Sequence, residues 1–448
     1  MSWKKIIALT LFLAALIAVI ATVNQREKAR KAVEGILLDV PAASVGKIEL
    51  RNQNGRFVFS RRDPHWYLEE PLAVKADKVT LESILDNFTR LRYDRLVGED
   101  VRDLTAFGLD HPGIELKLHV SDQAVHVVQL GLTNSMDDSS YAKLGQDARV
   151  VSLAAYKRSD LEKDLFAYRD KKFFALDTMA VTALDYRLEG NPFSLARKGG
   201  HWHLEKPLVS QAQDSKVEDI LSAASLLEAL DFSAATAEGA LREHGLDDPL
   251  LTAEFRSAST SRSMRVGKKG DQYFALVDGA NEICRIGKDF LDRFPADPSD
   301  FREKRIAQFY AYDVRELAFQ RGALRFTVRQ DAEGEWRFAA PAAGKTASRE
   351  KINGLLTSLA DCQAREFVDH PKSWPDFPVR IVLQVEDAAD PQKKSAVVMQ
   401  FSDPQGETVI ARNPELTYGF RVGKEILEKL PAKLEDMAEE APPEASGS

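Results

Sequence analysis

Three tryptophans in this chain are each followed, with four residues between, by a proline: Trp66 and Pro71, Trp202 and Pro207, Trp336 and Pro341. The tryptophans stand 136 and 134 residues apart (202 − 66 and 336 − 202). Strand-like sequence and a turn precede each pair, and a helix-like stretch follows it. The spacing therefore reads as one module written three times. A unit of that length can bury a core of its own. It also far exceeds the about 20–50 residues of a solenoid repeat, so tandem domains are expected.

In the first copy Ile48 and Leu50 alternate with polar residues, Asn54-Gly55 signals a hairpin, and Phe57 and Phe59 alternate on the return. Pro71 ends the ladder because it has no N–H to donate. Asp77 is a candidate N-cap for a helix carrying Val79, Ile84, Leu85, Phe88 and Leu91 on one face. A Gly-Leu-Asp-x-Pro turn (108–112) leads into further strands, and a closing helix is expected from Ala155 to Phe166. The second copy repeats the plan, with its own Gly-Leu-Asp-x-Pro turn at 245–249. The third is the most diverged: Trp374-Pro-Asp-Phe-Pro378 stands where that turn would be. Alternating strands need one face covered, and each amphipathic helix needs a surface to cover. Each tryptophan is expected to pack between sheet and helix, with its proline fixing the exit.

Ahead of the repeats, Ile6 to Val23 is an uncharged run of 18 residues. As a helix it would measure about 27 Å, near the thickness of a bilayer's hydrocarbon core. Trp3, Lys4 and Lys5 precede it, and Arg26, Lys28, Arg30 and Lys31 follow. The run reads as a signal-anchor with the chain's bulk outside the cytoplasm; cleavage after Val19-Ile-Ala21 is the alternative. The expected class is thus α+β, an N-terminal transmembrane helix followed by three tandem repeats, each an antiparallel sheet packed with one or two helices. The expected boundaries are 1–5 cytoplasmic, 6–23 anchor, 24–46 stalk, 47–172, 173–305 and 306–434 for the repeats, and 435–448 a disordered acidic tail.

A net charge of −8 and a pI near 5.7 argue against nucleic acid as a partner. The two cysteines, Cys284 and Cys362, fall in different repeats and read as buried thiols. His201 and His203 share one strand face without a third ligand nearby, and Asp137-Asp138-Ser139-Ser140 lacks the ligand series of a calcium loop. No nucleophile elbow and no phosphate loop occurs, so no catalytic residue, metal or cofactor is assigned. Basic clusters recur at the module junctions: Arg169, Lys171 and Lys172, then Arg302, Lys304 and Arg305. They read either as solvated linkers or as docking stripes for an acidic partner or lipid headgroups.

The apolar N-terminal run, the strand-turn-strand entry, the Trp-x4-Pro element with its helix and the Gly-Leu-Asp-x-Pro turns together resemble the bacterial family known as domain of unknown function 4340. The resemblance spans Lys47 to Pro431. It implies single-pass envelope proteins of the cytoplasmic (inner) membrane, with a periplasmic bulk, often encoded beside ABC-type transport components of the gliding-motility auxiliary kind. It supplies no catalytic residues. The expected function is a membrane-tethered extracytoplasmic interaction module, an accessory or assembly subunit with a protein partner in a membrane complex. The alternatives are an envelope enzyme, glycan-directed for instance, or a lipid- or small-molecule-binding protein with its site between repeats.

Overall fold

The computed structural model describes residues 35–120, 124–341, 343, 345–369, 371–386 and 394–439. They form two compact units. The first holds the described residues through Ala175 together with Leu227–Thr236 and Asn281–Ile286; the second holds the rest.

The first unit is built on an antiparallel sheet of nine strands. Across it the order is Val74–Lys75, His65–Glu70, Gly55–Arg62, Lys47–Asn52, Ile114–His119, Val125–Asn134, Ser139–Leu144, Val150–Leu153 and Arg95–Gly98. The period-two pattern sends Ile48, Leu50, Phe57, Phe59, Leu116 and Leu118 to one face, where all are buried. The helix Lys78–Thr89 covers that face with Leu81, Ile84, Leu85 and Phe88, and Asp77 caps it by accepting from the Thr80 N–H at 2.8 Å. Val79, expected on the buried face, is 74% exposed. It sits at the second helical position, about half a turn round the helix from the stripe set by Leu81, Ile84 and Leu85. Trp66 is buried in this core. The unit also contains the paired strands Asp231–Ala234 and Glu282–Ile286.

In the second unit seven strands run in the order Ser210–Gln211, His201–Lys206, Asn191–Lys198, Val181–Leu188, Leu251–Ser257, Ser261–Lys269 and Gln272–Val277. That is the order of the first seven strands of the first sheet. A sheet of eight follows: Trp336–Ala340, Leu324–Gln330, Val314–Arg321, Val379–Glu386, Lys394–Phe401, Thr408–Arg412, Gly419–Gly423 and Glu366–Val368. The helices Asp214–Ser225 and Arg349–Ala360 match Lys78–Thr89 at 12 residues each. Trp202 and Trp336 are buried, and the peptide bonds before Pro71, Pro207 and Pro341 are all cis. These are repeated β-sheet domains.

The expected class needs correction. The architecture is mainly β, because period-two alternation runs through most of each module while the covering helices are only 12 residues long. The closing helix of the first repeat is two pieces, Ala155–Leu161 and Leu165–Tyr168. Among the described residues no helix is long and apolar enough to cross a membrane. The run 6–23, on which a transmembrane helix was expected, lies outside the described residues. The described end of the expected stalk is part of the first domain: Ile36–Asp39 is a strand paired with Arg90–Arg92, and it buries Leu37 and Leu38. The expected disordered tail begins as ordered chain, with a turn at Leu434–Met437 and Met437 buried.

Candidate interaction sites at the repeat junctions and on the open sheet faces

The segments Tyr168–Lys172 and Phe301–Arg305 follow one path, and backbone bonds set it. Tyr168 and Phe301 are fully buried, each closing the core of the repeat that precedes it. Their carbonyls accept from the residue at the helix start, Asp77 at 2.9 Å and Gln213 at 2.7 Å. Three residues on, the Lys171 carbonyl accepts from Ala229 at 2.9 Å and that of Lys304 from Ala364 at 2.7 Å, both past the end of the next helix. Each segment is thus a strap from one repeat into the next.

The arginine of each strap is not a solvated linker residue. Arg169 is buried and grips Glu282 with both terminal nitrogens, at 3.0 and 2.7 Å, with its guanidinium 3.4 Å from the centroid of Phe232. Arg302 grips Asp369 at 2.7 and 2.8 Å, lies 3.7 Å from the centroid of Phe367, and donates from Nε to the Ser210 hydroxyl at 3.2 Å. A planar guanidinium can satisfy a carboxylate edge-on and an aromatic ring face-on at once, which lysine cannot. The third repeat has the same strap without the arginine. Met437, 136 residues after Phe301, accepts from the Ser348 N–H at 2.9 Å, and Ala438 stands where the arginine stood. This backbone pairing is why the tail begins ordered.

The other junction cations face outward. Lys172, Lys304 and Arg305 are exposed, while Lys171 lies 3.8 Å from Asp77. Arg305 holds Glu303 by two side-chain bonds, at 3.1 and 2.9 Å. Burial pushes the Glu303 carboxyl up, but the bonds from Arg305 and Gln308 outweigh it, and the group stays below the ordinary carboxylate range. A cavity of about 550 Å³ opens beside the first strap, lined by Trp66, Lys75, Asp77, Asp170, Lys172 and Glu228. Its counterpart of about 330 Å³ beside the second strap includes Gln213, Asp214, Lys304, Arg305 and Gln363.

Of the two histidines on the strand His201–Lys206, His201 has a carboxylate partner. His201 Nδ1 is 2.7 Å from Asp214, whose other oxygen accepts from the Trp202 N–H at 2.7 Å. Burial lowers the His203 pKa. Asp137 accepts from the Ser139 hydroxyl at 2.6 Å and closes a polar loop. Among the described residues no group of three His, Cys, Asp or Glu is placed to hold a metal ion.

Two further grooves lie on the uncovered faces of sheets. In the second repeat a groove of about 570 Å³ is lined by Asp185, Ser194, Lys206, Glu254 and Arg265 among others. In the third, a groove of about 360 Å³ has Ala318, Thr327, Ala340, Val382 and Arg325 at its wall. Strand order and register make Ala318 the counterpart of Asp185, Ala340 that of Lys206 and Val382 that of Glu254. Sequence reading missed these faces: alternation says which residues point outward, not which of them remain unpaired.

The fold and these surfaces define a tandem β-sheet repeat protein. The family model described as "Domain of unknown function (DUF4340)" matches residues 66–240 and again 202–378, and the chain belongs to that family. The two matches begin at Trp66 and Trp202, one repeat apart. No curated protein matches. Among solved structures, the DNA polymerase III subunit beta of Pseudomonas aeruginosa aligns at 10% identity, covering 87% of this chain and 94% of that one, with a TM-score of 0.14. The sliding clamp of the same organism with ligand aligns at 10% identity over 86% and 93%, with a TM-score of 0.13. Scores at that level do not establish a shared fold.

Proposed function

We propose that this protein is a non-enzymatic interaction module of a bacterial envelope, working outside the cytoplasm as an accessory or assembly subunit of an ABC-type transport system. One observation carries the reading. The frame is kept from copy to copy, while the residues on the open sheet faces change from charged (Asp185, Lys206, Glu254) to small and apolar (Ala318, Ala340, Val382). A repeated frame with differing faces suits contact with one partner at several points, where separate weak contacts combine. The envelope setting and the transport neighbourhood rest on the family resemblance alone.

The test is recovery of the tagged full chain from membranes, with identification of the chains that come with it. The reading expects a stable set of transport components, and a graded loss of that set as polar residues of the faces are replaced singly by Ala. A single replacement that abolishes turnover of a defined substrate, with folding and association intact, would make it an enzyme.

A further inference from the structure

One row of side chains crosses the open face of the third sheet. Gln320 is paired in register with Arg325 on one side and Arg380 on the other. Arg380 is paired with Gln400, and Gln400 with Arg412. Directly paired residues of antiparallel strands point to the same face. The neighbours that alternate with them, Phe319, Phe326, Ile381, Met399 and Ala411, are buried, so the row faces outward. It reads Arg325, Gln320, Arg380, Gln400, Arg412 across five strands.

Among the described residues no carboxylate pairs with these three arginines. Arg325 and Arg380 are exposed, and Arg412 lies 4.6 Å from the centroid of Trp374 with its Nε buried and without a hydrogen-bond partner. The equivalent row of the first repeat (Arg56, Arg51, Glu115, Gln129, Lys143) contains its own acid, and there Gln129 donates to Glu115 at 3.0 Å. Two residues along the strands, a second row of the third sheet runs parallel: Ala340, Thr327, Ala318, Val382, Val398. Much of this row lines the groove of about 360 Å³. On its far side Glu316 is already bound to Arg329, at 2.6 Å. The groove therefore has a floor of small side chains, one charge-balanced bank and one bank of unpaired cations.

We infer that this groove binds an extended acidic peptide segment of a protein partner, with carboxylates at every third residue meeting Arg325, Arg380 and Arg412. Strands lie about 4.8 Å apart, so successive arginines of the row are about 10 Å apart. Three residues of a chain in the polyproline-II form rise about 9.3 Å and bring every third side chain back to the same side. Guanidinium and carboxylate match edge to edge. Gln320 and Gln400, between the arginines, each offer a donor and an acceptor, the pair a peptide backbone can use and a phosphate cannot. The apolar floor takes the side chains between the acids. This inference rests on the reading of the protein as an interaction module and names the chemistry of the partner.

The test uses the full chain and a fluorescein-labelled peptide of five Glu-Ala-Ala units, read by anisotropy. Wild type should bind it, and R325Q/R380Q should weaken binding at least tenfold with an unchanged thermal midpoint. R102Q, at an exposed arginine of the first repeat, should change it less than twofold. A peptide of five Gln-Ala-Ala units should not compete. Equal binding by R325Q/R380Q, or tighter binding of inorganic polyphosphate or of phosphatidylglycerol vesicles than of the peptide, overturns the inference. Membrane recovery separates the two levels of the account. If wild type and R325Q/R380Q recover the same transport components and the peptide does not bind, this site is wrong and the interaction module stands. If wild type recovers none, the module reading fails, and the peptide result still decides the site.

Discussion

Arg302 and Asp369 meet edge to edge, at 2.7 and 2.8 Å, and the arginine that makes the contact is 3% exposed. The pair joins a strap to the strand edge of the repeat that follows. Because the arginine is buried against Phe367 and Tyr418, R302A removes packing as well as charge. It should cost about 3 kcal/mol, the low end for a broken buried pair, since Asp369 can rehydrate. R302K should recover little, because an ammonium cannot both fork and stack. Urea unfolding of both variants checks this.

Trp202→Ala should cost about 3–5 kcal/mol, as its ring is fully buried. Urea midpoints at constant slope would show it. A loss of partner recovery with unchanged stability would instead make Trp202 a recognition residue.

Glu49 gives the first repeat a pH dependence. The bond from Lys47, at 2.8 Å, with help from Arg56 and His119 against some burial, holds its carboxyl down to about 2 from an ordinary 4.5. A carboxylate depressed in the folded state stabilises above its unfolded pKa, and that contribution is lost as pH falls through the folded value. Stability should therefore drop between about pH 4.5 and 2, and E49Q should flatten that part of the curve. Denaturation at a series of pH values measures it.

Gly131 and Gly267 should not tolerate a side chain. A Cβ on Gly131 would overlap the Phe107 carbonyl, and one on Gly267 the His244 carbonyl, because the Gly-Leu-Asp turn presses on the neighbouring strand. G267A should cost about 1–3 kcal/mol, the range for forced overpacking, and thermal unfolding would read it.

Cys284 and Cys362 should resist maleimide in the native protein and react on unfolding. Burial pushes both thiols up to about 12, leaving almost no thiolate at neutral pH. Rapid native labelling of either would contradict the burial.

The repeated strands and helices were legible because alternation and helical spacing are local. Trp66, Trp202 and Trp336 announced the copy number, and the family match falls on the same register. The straps were seen only as basic clusters. Nothing local distinguishes Arg169, buried against Phe232, from Lys172, in solvent three residues later; the partners lie 63 and 113 residues away in sequence. The arginine row was invisible for the same reason. Arg325, Arg380 and Arg412 become neighbours only once strand order and register are fixed. The class itself was misjudged toward α+β, since the helical stretches are short and the strands between them many.

Contact of the open sheet faces with a partner is tested most directly by photo-crosslinking in cells. A photoreactive residue placed at Thr327 or Val382 of the third sheet, or at Ser194 of the second, should give a discrete adduct with a protein partner. One placed at Met179, 82% exposed and away from either groove, should give none. Adducts from Met179 alone, or none from any face in cells where the tagged chain is recovered folded, would contradict it.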